Sequence, residues 1–337
     1  MANTFGDKWS FTSFGESHGL AIGGVLDGVP AGLKIDFDLI RAELARRAGR
    51  KPTPDNVLRT ATGSPIEQSS SPVKGMETGV SIRAAREPDE VEWLSGVIEI
   101  KNEELKIKNL VTLGTPIAFI IRNKDARPED YEWLKHSYRV GHADKTYEQK
   151  YGIRDWRGGG RASARETAGR VVAGCIAKQV LRAKGITIHA ELVQVGTETD
   201  PKKFAETIAA YQKEGDSIGG IVACVIHGLP AGTGEPIFNK LQAELAFAVM
   251  SINACKGFEY GTGFGGVTKS GSEINAISGG IAGGISDGTD ITFRCVFKPT
   301  PSTPKAGVKG RHDACVATRA VPIVEAMTAL ALINLMH

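Results

Sequence analysis

At 337 residues, 41% of them hydrophobic and 23% charged, the chain has the composition of an ordinary globular protein with room for one large domain or two. A net charge of only +3, with no Lys/Arg-rich arm and no basic face interleaved with aromatics, argues against nucleic acid as a partner. Five cysteines, at 175, 224, 255, 295 and 315, form no Cys-x-x-Cys and read as small buried hydrophobes of a reducing compartment, so the expected location is cytoplasmic.

The run Met1 to Lys8 lacks the apolar core of a signal peptide. The most apolar stretch, Ile323 to Met336, is short for a span and carries Glu325, so no membrane association is expected. Residues 10–19 predict a strand and a Gly-bounded turn carrying Glu16, Ser17 and His18. A helix follows from Asp38 to about Arg47, with Leu39, Ile40 and Leu44 on its apolar side. Residues 50–78, rich in Pro, Ser, Thr and Gly, predict a mobile surface loop. Segments 90–100 and 115–122 pattern as strands or short helices, and Glu129 to Lys135 as a helix.

The cationic excess is concentrated in residues 139–170, where eight Lys or Arg face four Asp or Glu for a net +4. Gly158, Gly159 and Gly160, flanked by Arg157 and Arg161, free the backbone to bring N–H groups close to a ligand. Ser163-Ala-Arg-Glu166 then spells a capping box, opening a helix whose apolar side runs Ala168, Val171, Val172, Cys175, Ile176. A helix N-terminus among the arginines at 154, 157, 161, 165 and 170 suits phosphate. His142 and Asp144 supply acid–base groups just upstream.

Further on, 186–195 and 218–226 predict strands, and 201–214, 238–250 and 320–335 predict helices. Gly261-Thr-Gly-Phe-Gly-Gly266 matches a dinucleotide fingerprint by letter only, because no apolar-periodic helix follows it. A P-loop and a Cys-x-x-Cys or His-x-x-x-His metal spacing are lacking. Proton transfer beside a bound phosphate remains, with His18, His142 and His312 in Gly-bounded polar loops as candidates. An internal echo, Ile22-Gly-Gly-Val with Phe37-Asp-Leu-Ile against Ile218-Gly-Gly-Ile with Phe238-Asn-Lys-Leu, suggests one strand–turn–helix unit used twice.

Six motifs in order, Gly15-Glu-Ser-His-Gly19, Gly141-His-Ala-Asp144, Arg157-Gly-Gly-Gly-Arg161 with Ala164-Arg-Glu-Thr167, Ser251-Ile-Asn-Ala254, Gly283-Gly-Ile-Ser286 and Gly310-Arg-His-Asp313, together resemble the chorismate synthase family over nearly the whole chain. The resemblance implies an α+β fold, a β-α-β sandwich of antiparallel sheets with a pseudo-two-fold repeat. It would be a single domain over 1–337, with related halves of roughly 10–135 and 186–320. It implies a lyase that eliminates phosphate in the anti-1,4 sense from 5-enolpyruvylshikimate 3-phosphate to give chorismate, with reduced FMN required although no net redox occurs. NADPH or a separate flavin reductase would supply the reducing equivalents, and the family is homotetrameric.

By motif, His142 would protonate or hydrogen-bond the flavin near N1, His18 would assist the departing phosphate, and Asp313 would relay the C6 proton by way of flavin N5. Arg161, Ala162, Ser163, Asn253, Ala254, Gly283, Lys298, Pro299, Thr300, Pro301, Ser302 and Arg311 match positions lining the flavin. Arg47, Arg50, Ser17 and Arg139 match positions facing substrate or nicotinamide, and no metal is implied. The chain departs from the family pattern at Val140 and Ala314, where Pro is usual, at Ala162 for Ser, and at Ala48 for Arg-Pro. Residues 50–78 read as an insertion, and 272–280 and 300–309 as shortened. Those departures motivate the alternative of a catalytically weakened flavin- or phosphate-binding relative.

Overall fold

Period-two burial builds two antiparallel sheets, and the computed structural model describes residues 3–50, 89–102, 107–274, 278–308 and 312–336 of them and their connections. The expected loop over 50–78, apart from Arg50, and Arg311 lie outside the described residues. Strands β1 (Thr4–Phe5), β2 (Ser10–Phe14), β3 (Ala21–Asp27), β4 (Val91–Trp93) and, after a separate hairpin of β5 (Val97–Asn102) and β6 (Ile107–Thr112), β7 (Ile117–Arg122) form the first sheet in the order β1-β2-β3-β7-β4. Strands β8 (Thr187–Val195), β9 (Gly220–His227), β10 (Cys255–Tyr260) and, after a short hairpin of β11 (Ile281–Ala282) and β12 (Ile285–Ser286), β13 (Ile291–Phe297) form the second in the order β10-β13-β9-β8. Along β7 the residues Ile117, Phe119 and Ile121 point inward, and along β13 Ile291, Phe293, Cys295 and Phe297 do the same.

The helices are α1 (Phe37–Ala48), α2 (Asp144–Tyr151), α3 (Thr167–Ala183), α4 (Phe204–Lys213), α5 (Leu241–Met250), a single turn α6 (Gly271–Ile274) and α7 (Ala317–Leu335). Helix α1 starts where Asp36 caps the Leu39 amide at 2.9 Å and stops at Gly49, whose φ of 69° lies in the left-handed region. Helix α3 lies on β2, β3 and β7, helix α7 lies on β8 and β9, and the two helices pack back to back. They meet closely at Gly174, where a Cβ would stand 2.4 Å from that of Ala326, so only glycine fits.

Three readings shift. Residues 128–136 form a 3-10 helix, and 144–151 form an α-helix inside what read as a loop. The C-terminal helix begins at Ala317, and its 19 residues are long and apolar enough to cross a membrane, yet 83% of that window is buried inside the protein. It is a core helix, apolar on every side because protein surrounds it. With α2, α4, α6 and the two hairpins set aside, the order strand–strand–helix–strand–strand–helix occurs twice, as β2-β3-α1-β4-β7-α3 and β8-β9-α5-β10-β13-α7, with the same strand neighbours each time. Helix α3, which falls between the halves drawn from the sequence, occupies in the first the place of α7 in the second.

Candidate active site

A cavity of about 460 Å³ opens among turns that follow strands of both sheets. Its wall takes His18 from the turn after β2, Arg47 from α1, Tyr131 from the 3-10 helix, the turns 139–143 and 159–165, Asn253 and Ala254 before β10, residues 298–302 after β13, and His312, Asp313 and Arg319 around the start of α7. Arg47, Arg139, Arg165, Lys298 and Arg319 bring positive charge to it, and Asp313 is the acidic residue in the wall. The three proton-transfer candidates therefore share one cavity with the glycine corner.

His142 stands on the turn before α2, with Nδ1 3.0 Å from Asp144 Oδ1 and 3.1 Å from Arg139 Nη2. Arg139 grips the same carboxylate through Nε at 2.9 Å, Nη2 at 2.6 Å and its backbone N at 3.0 Å. Burial pushes the Asp144 carboxyl up, but the Arg139 and His142 contacts outweigh it and hold the group well below the usual carboxylate range. His18, 6% exposed, has Nδ1 3.1 Å from Ser17 Oγ and its ring edge against Tyr131. Gly158 backs that ring so closely that a Cβ would sit 2.3 Å from His18 Nδ1, and its φ of 75° is itself a glycine conformation.

Asp89 is buried between two guanidiniums, at 2.7 Å from Arg47 Nη2 and in contact with Arg165 Nη1. Burial alone would raise its pKa, but Arg47 and Arg165 lower it from 3.8 to about 2. Asp313 accepts from Arg319 Nη1 at 2.6 Å, and Arg319 Nε donates to the Arg47 carbonyl at 2.8 Å, so these side chains form one continuous wall. Several buried polar atoms among the lining residues have no hydrogen-bond partner: Arg47 Nε, Asn253 Oδ1, Ser302 Oγ and His312 Nδ1. Buried polar atoms are rarely left unsatisfied, so this set fits a polar ligand. Ala254, at φ 67°, is one of two non-glycine residues with positive φ among those described, and such strain concentrates at ligand sites.

The residues expected to line a flavin divide. Ala162, Ser163, Asn253, Ala254, Lys298, Pro299, Thr300, Pro301 and Ser302 do line the cavity. Arg161 does not, because its guanidinium is spent on the Gly15 carbonyl at 2.8 Å and on Ser13 Oγ at 2.8 Å, tying the glycine corner to β2. Gly283 sits exposed in the β11–β12 turn and is not part of the wall. Of the positions expected to face substrate or nicotinamide, Arg47 and Arg139 are in the wall, Ser17 supports His18 from behind, and Arg50 lies outside it.

The arginine-rich stretch is mostly internal scaffolding rather than an open phosphate grip. Arg154 donates to the carbonyls of Leu134 and Ser137, Arg157 to Asp155, Arg165 to Asp89 and Asn123, and Arg170 to Glu166 and Ser251. The capping box is also incomplete. Ser163 Oγ caps the Arg165 amide at 3.3 Å, opening one 3-10 turn before α3, while Glu166 turns to Arg170. Sequence reading missed Asp89, Tyr131 and Arg319; only Arg319, six residues after Asp313 at the start of an apolar helix, carried a local signal.

Comparison with known proteins agrees with this geometry. A sequence model described as chorismate synthase matches residues 9–63 and 68–337. The chain is 44% identical to chorismate synthase of Phocaeicola vulgatus, covering 99% of this chain and 97% of that one, and 44% identical to that of Christiangramia forsetii, covering 98% and 96%. Among solved structures, a crystal structure of chorismate synthase superposes with a TM-score of 0.70 at 26% identity, covering 98% of this chain and 92% of that one.

Proposed function

The chain belongs to the chorismate synthase family, and we propose that this cavity is where it performs that family's reaction. It is an enzyme of this kind, a lyase of the shikimate pathway and aromatic amino acid biosynthesis, and the family depends on reduced flavin. The observation carrying the site assignment is the meeting of His18, His142 and Asp313 with Arg47, Arg139, Lys298 and Arg319 around one cavity. Its volume falls within the range of sites for small organic ligands.

FMN is the flavin we assign, held by the Asn253–Ala254 turn, Ser163 and the Lys298–Ser302 segment, whose partnerless Asn253 Oδ1 and Ser302 Oγ suit its polar edge. When bound in its reduced form, it supplies the electron-rich surface on which the C–O bond can break without net redox change. The substrate, 5-enolpyruvylshikimate 3-phosphate, carries one phosphate and two carboxylates, which the cationic wall neutralises. Arg47 offers its partnerless Nε for this.

In the elimination, the phosphate leaves with the electron pair of its C–O bond, the electron pair of the broken C6–H bond forms a new ring double bond, and the existing ring double bond shifts to the carbon that lost phosphate. His18, beside the glycine corner, meets the negative charge growing on the departing phosphate. Asp313, fixed by Arg319, accepts the C6 proton. His142, with Nδ1 3.0 Å from Asp144 Oδ1, would hydrogen-bond the reduced flavin. Anaerobic incubation with reduced FMN and substrate should release one phosphate per chorismate formed, and no product under those conditions refutes the proposal.

NADPH is the proposed reductant, and FMN-dependent NADPH oxidation by the purified chain separates self-reduction from delivery by a separate flavin reductase. A homotetramer is supported by the exposed apolar side chains Phe238, Phe247 and Phe264, and a cytoplasmic location by five free, buried cysteines. The matching strand order of the two sheets supports a single domain made of two related halves.

A further inference from the structure

We propose that Asp144, gripped by Arg139, is a positioning residue that holds His142 in the Nδ1–H tautomer and so directs its Nε2 into the cavity. The argument is a count of hydrogens. Arg139 Nη2 has two to give and three neighbours: Asp144 Oδ1 at 2.6 Å, the Gly158 carbonyl at 3.1 Å and His142 Nδ1 at 3.1 Å. The two oxygens are acceptors only, and the carboxylate is the stronger of them, so they take both hydrogens. Nδ1 is left with at most a share of an Nη2 hydrogen already committed to an oxygen, while Asp144 Oδ1 lies 3.0 Å away as a charged acceptor. The ring satisfies both atoms by carrying its proton on Nδ1 and donating it to the carboxylate.

Free imidazole has no such constraint, so the tautomer is imposed by the neighbour. Asp144 is suited to impose it, because its side chain is 5% exposed and three contacts from Arg139 fix both oxygens. Nε2 is left as the nitrogen that exchanges a proton with whatever the cavity holds. The same arginine reaches the other histidine. Its bond to the Gly158 carbonyl holds the glycine that backs His18, so the same carboxylate–guanidinium pair also borders the second imidazole. A merely structural bridge anchoring the turn 139–144 would leave the tautomer free.

The inference rests on His142 acting in the proposed reaction, but its first test needs neither flavin nor substrate. Nitrogen-15 spectra of histidine-labelled wild-type protein, with the His142 signals assigned by their loss in His142→Gln, should show Nδ1 protonated when the ring is neutral. A bare Nδ1 with the proton on Nε2 overturns the proposal, whatever the turnover assay gives. Asp144→Asn should release the ring to Nε2–H and lower kcat by about 10–100-fold, as loss of an orienting partner does elsewhere, with the substrate KM within about threefold. An unchanged kcat, or a loss carried by KM alone, also overturns it. If the asparagine variant does not fold, the wild-type spectrum decides.

Discussion

Glu325 enters the core on α7 with its side chain 4% exposed, and Glu325→Gln would keep its size while removing its charge. The carboxylate touches Lys178 Nζ, accepts from Arg46 at 3.0 and 3.1 Å and takes the Ala190 amide of β8 at 3.0 Å. Glu43 closes the cluster, at 3.2 Å from Lys178 and 2.8 Å from Arg46. Removing one member leaves two cations sharing Glu43 with little water, and breaking a buried pair this way costs about 3–5 kcal/mol. Denaturant unfolding at fixed protein concentration should show that loss as a lower midpoint at unchanged slope. Lys178→Met combined with Glu325→Leu should recover most of it, since the Arg46–Glu43 pair is intact and a buried ion pair replaced by apolar groups is often neutral.

The pH dependence has a definite sign. Burial opposes the charged form of Glu325, but Arg46 and Lys178 outweigh it and hold its pKa far below 4.5, so its contribution is complete above that value and is lost as pH falls. Burial lowers the Lys178 pKa, but Glu325 and Glu43 outweigh it and raise it above 10.5, so its contribution is present below that value and lost as pH rises. Stability of the wild type should therefore form a plateau between about pH 5 and 10. A Glu325→Gln loss below about 1 kcal/mol would falsify the claim that the cluster is dry, since only exposed pairs are worth so little.

Asp89→Asn should cost about 2–3 kcal/mol at neutral pH, from the drop of its pKa from 3.8 to about 2 at 1.36 kcal/mol per pH unit. In wild type that stability is present above about pH 4 and fades as pH falls toward 2; a variant matching wild type at pH 7 in unfolding experiments contradicts it. Gly158→Ala should abolish most turnover by driving a methyl onto His18, whereas Gly160→Ala, with open space around it, should show only the backbone cost of its φ of 51°; equal kcat losses would refute the steric account. His142→Ala and Asp313→Ala should each lower kcat by about 100-fold or more, with the melting temperature of the His142 variant near wild type, and near-wild-type rates in either variant would remove its assigned role. Asn253→Ala should weaken FMN binding, measured by titration, because it deletes the partnerless Oδ1 and the bond from Nδ2 to the Ala162 carbonyl at 3.0 Å.

Where a residue's behaviour depends on neighbours a few positions away, the sequence was legible. The apolar spacing of Leu39, Ile40 and Leu44 marked α1 and that of 168–176 marked α3, while 115–122 read as a strand or a short helix and forms β7. Residues 129–135 read as a helix and form a 3-10 helix, but the helix at 144–151 went unread, where polar composition gives little helical signal and the turn 139–144 is held by Asp144. The site was half legible for the same reason. His18 and His142 declare their chemistry by type and turn context and Asp313 entered through the family resemblance, but an arginine in a sequence is only a cation looking for an acceptor.

The sequence alone therefore determined which chemistry was present: imidazoles, a carboxylate, glycine corners and an excess of guanidiniums, in an order that resembles one family. Tertiary structure decided which of those guanidiniums were already satisfied. Arg161 closes on strand carbonyls, Arg154 on a 3-10 helix and Arg165 on Asp89, 76 residues away, while Arg47 keeps a donor for the cavity. Partners separated by that much chain are chosen by how the sheets and helices pack. Local propensity and charge counting do not contain that information.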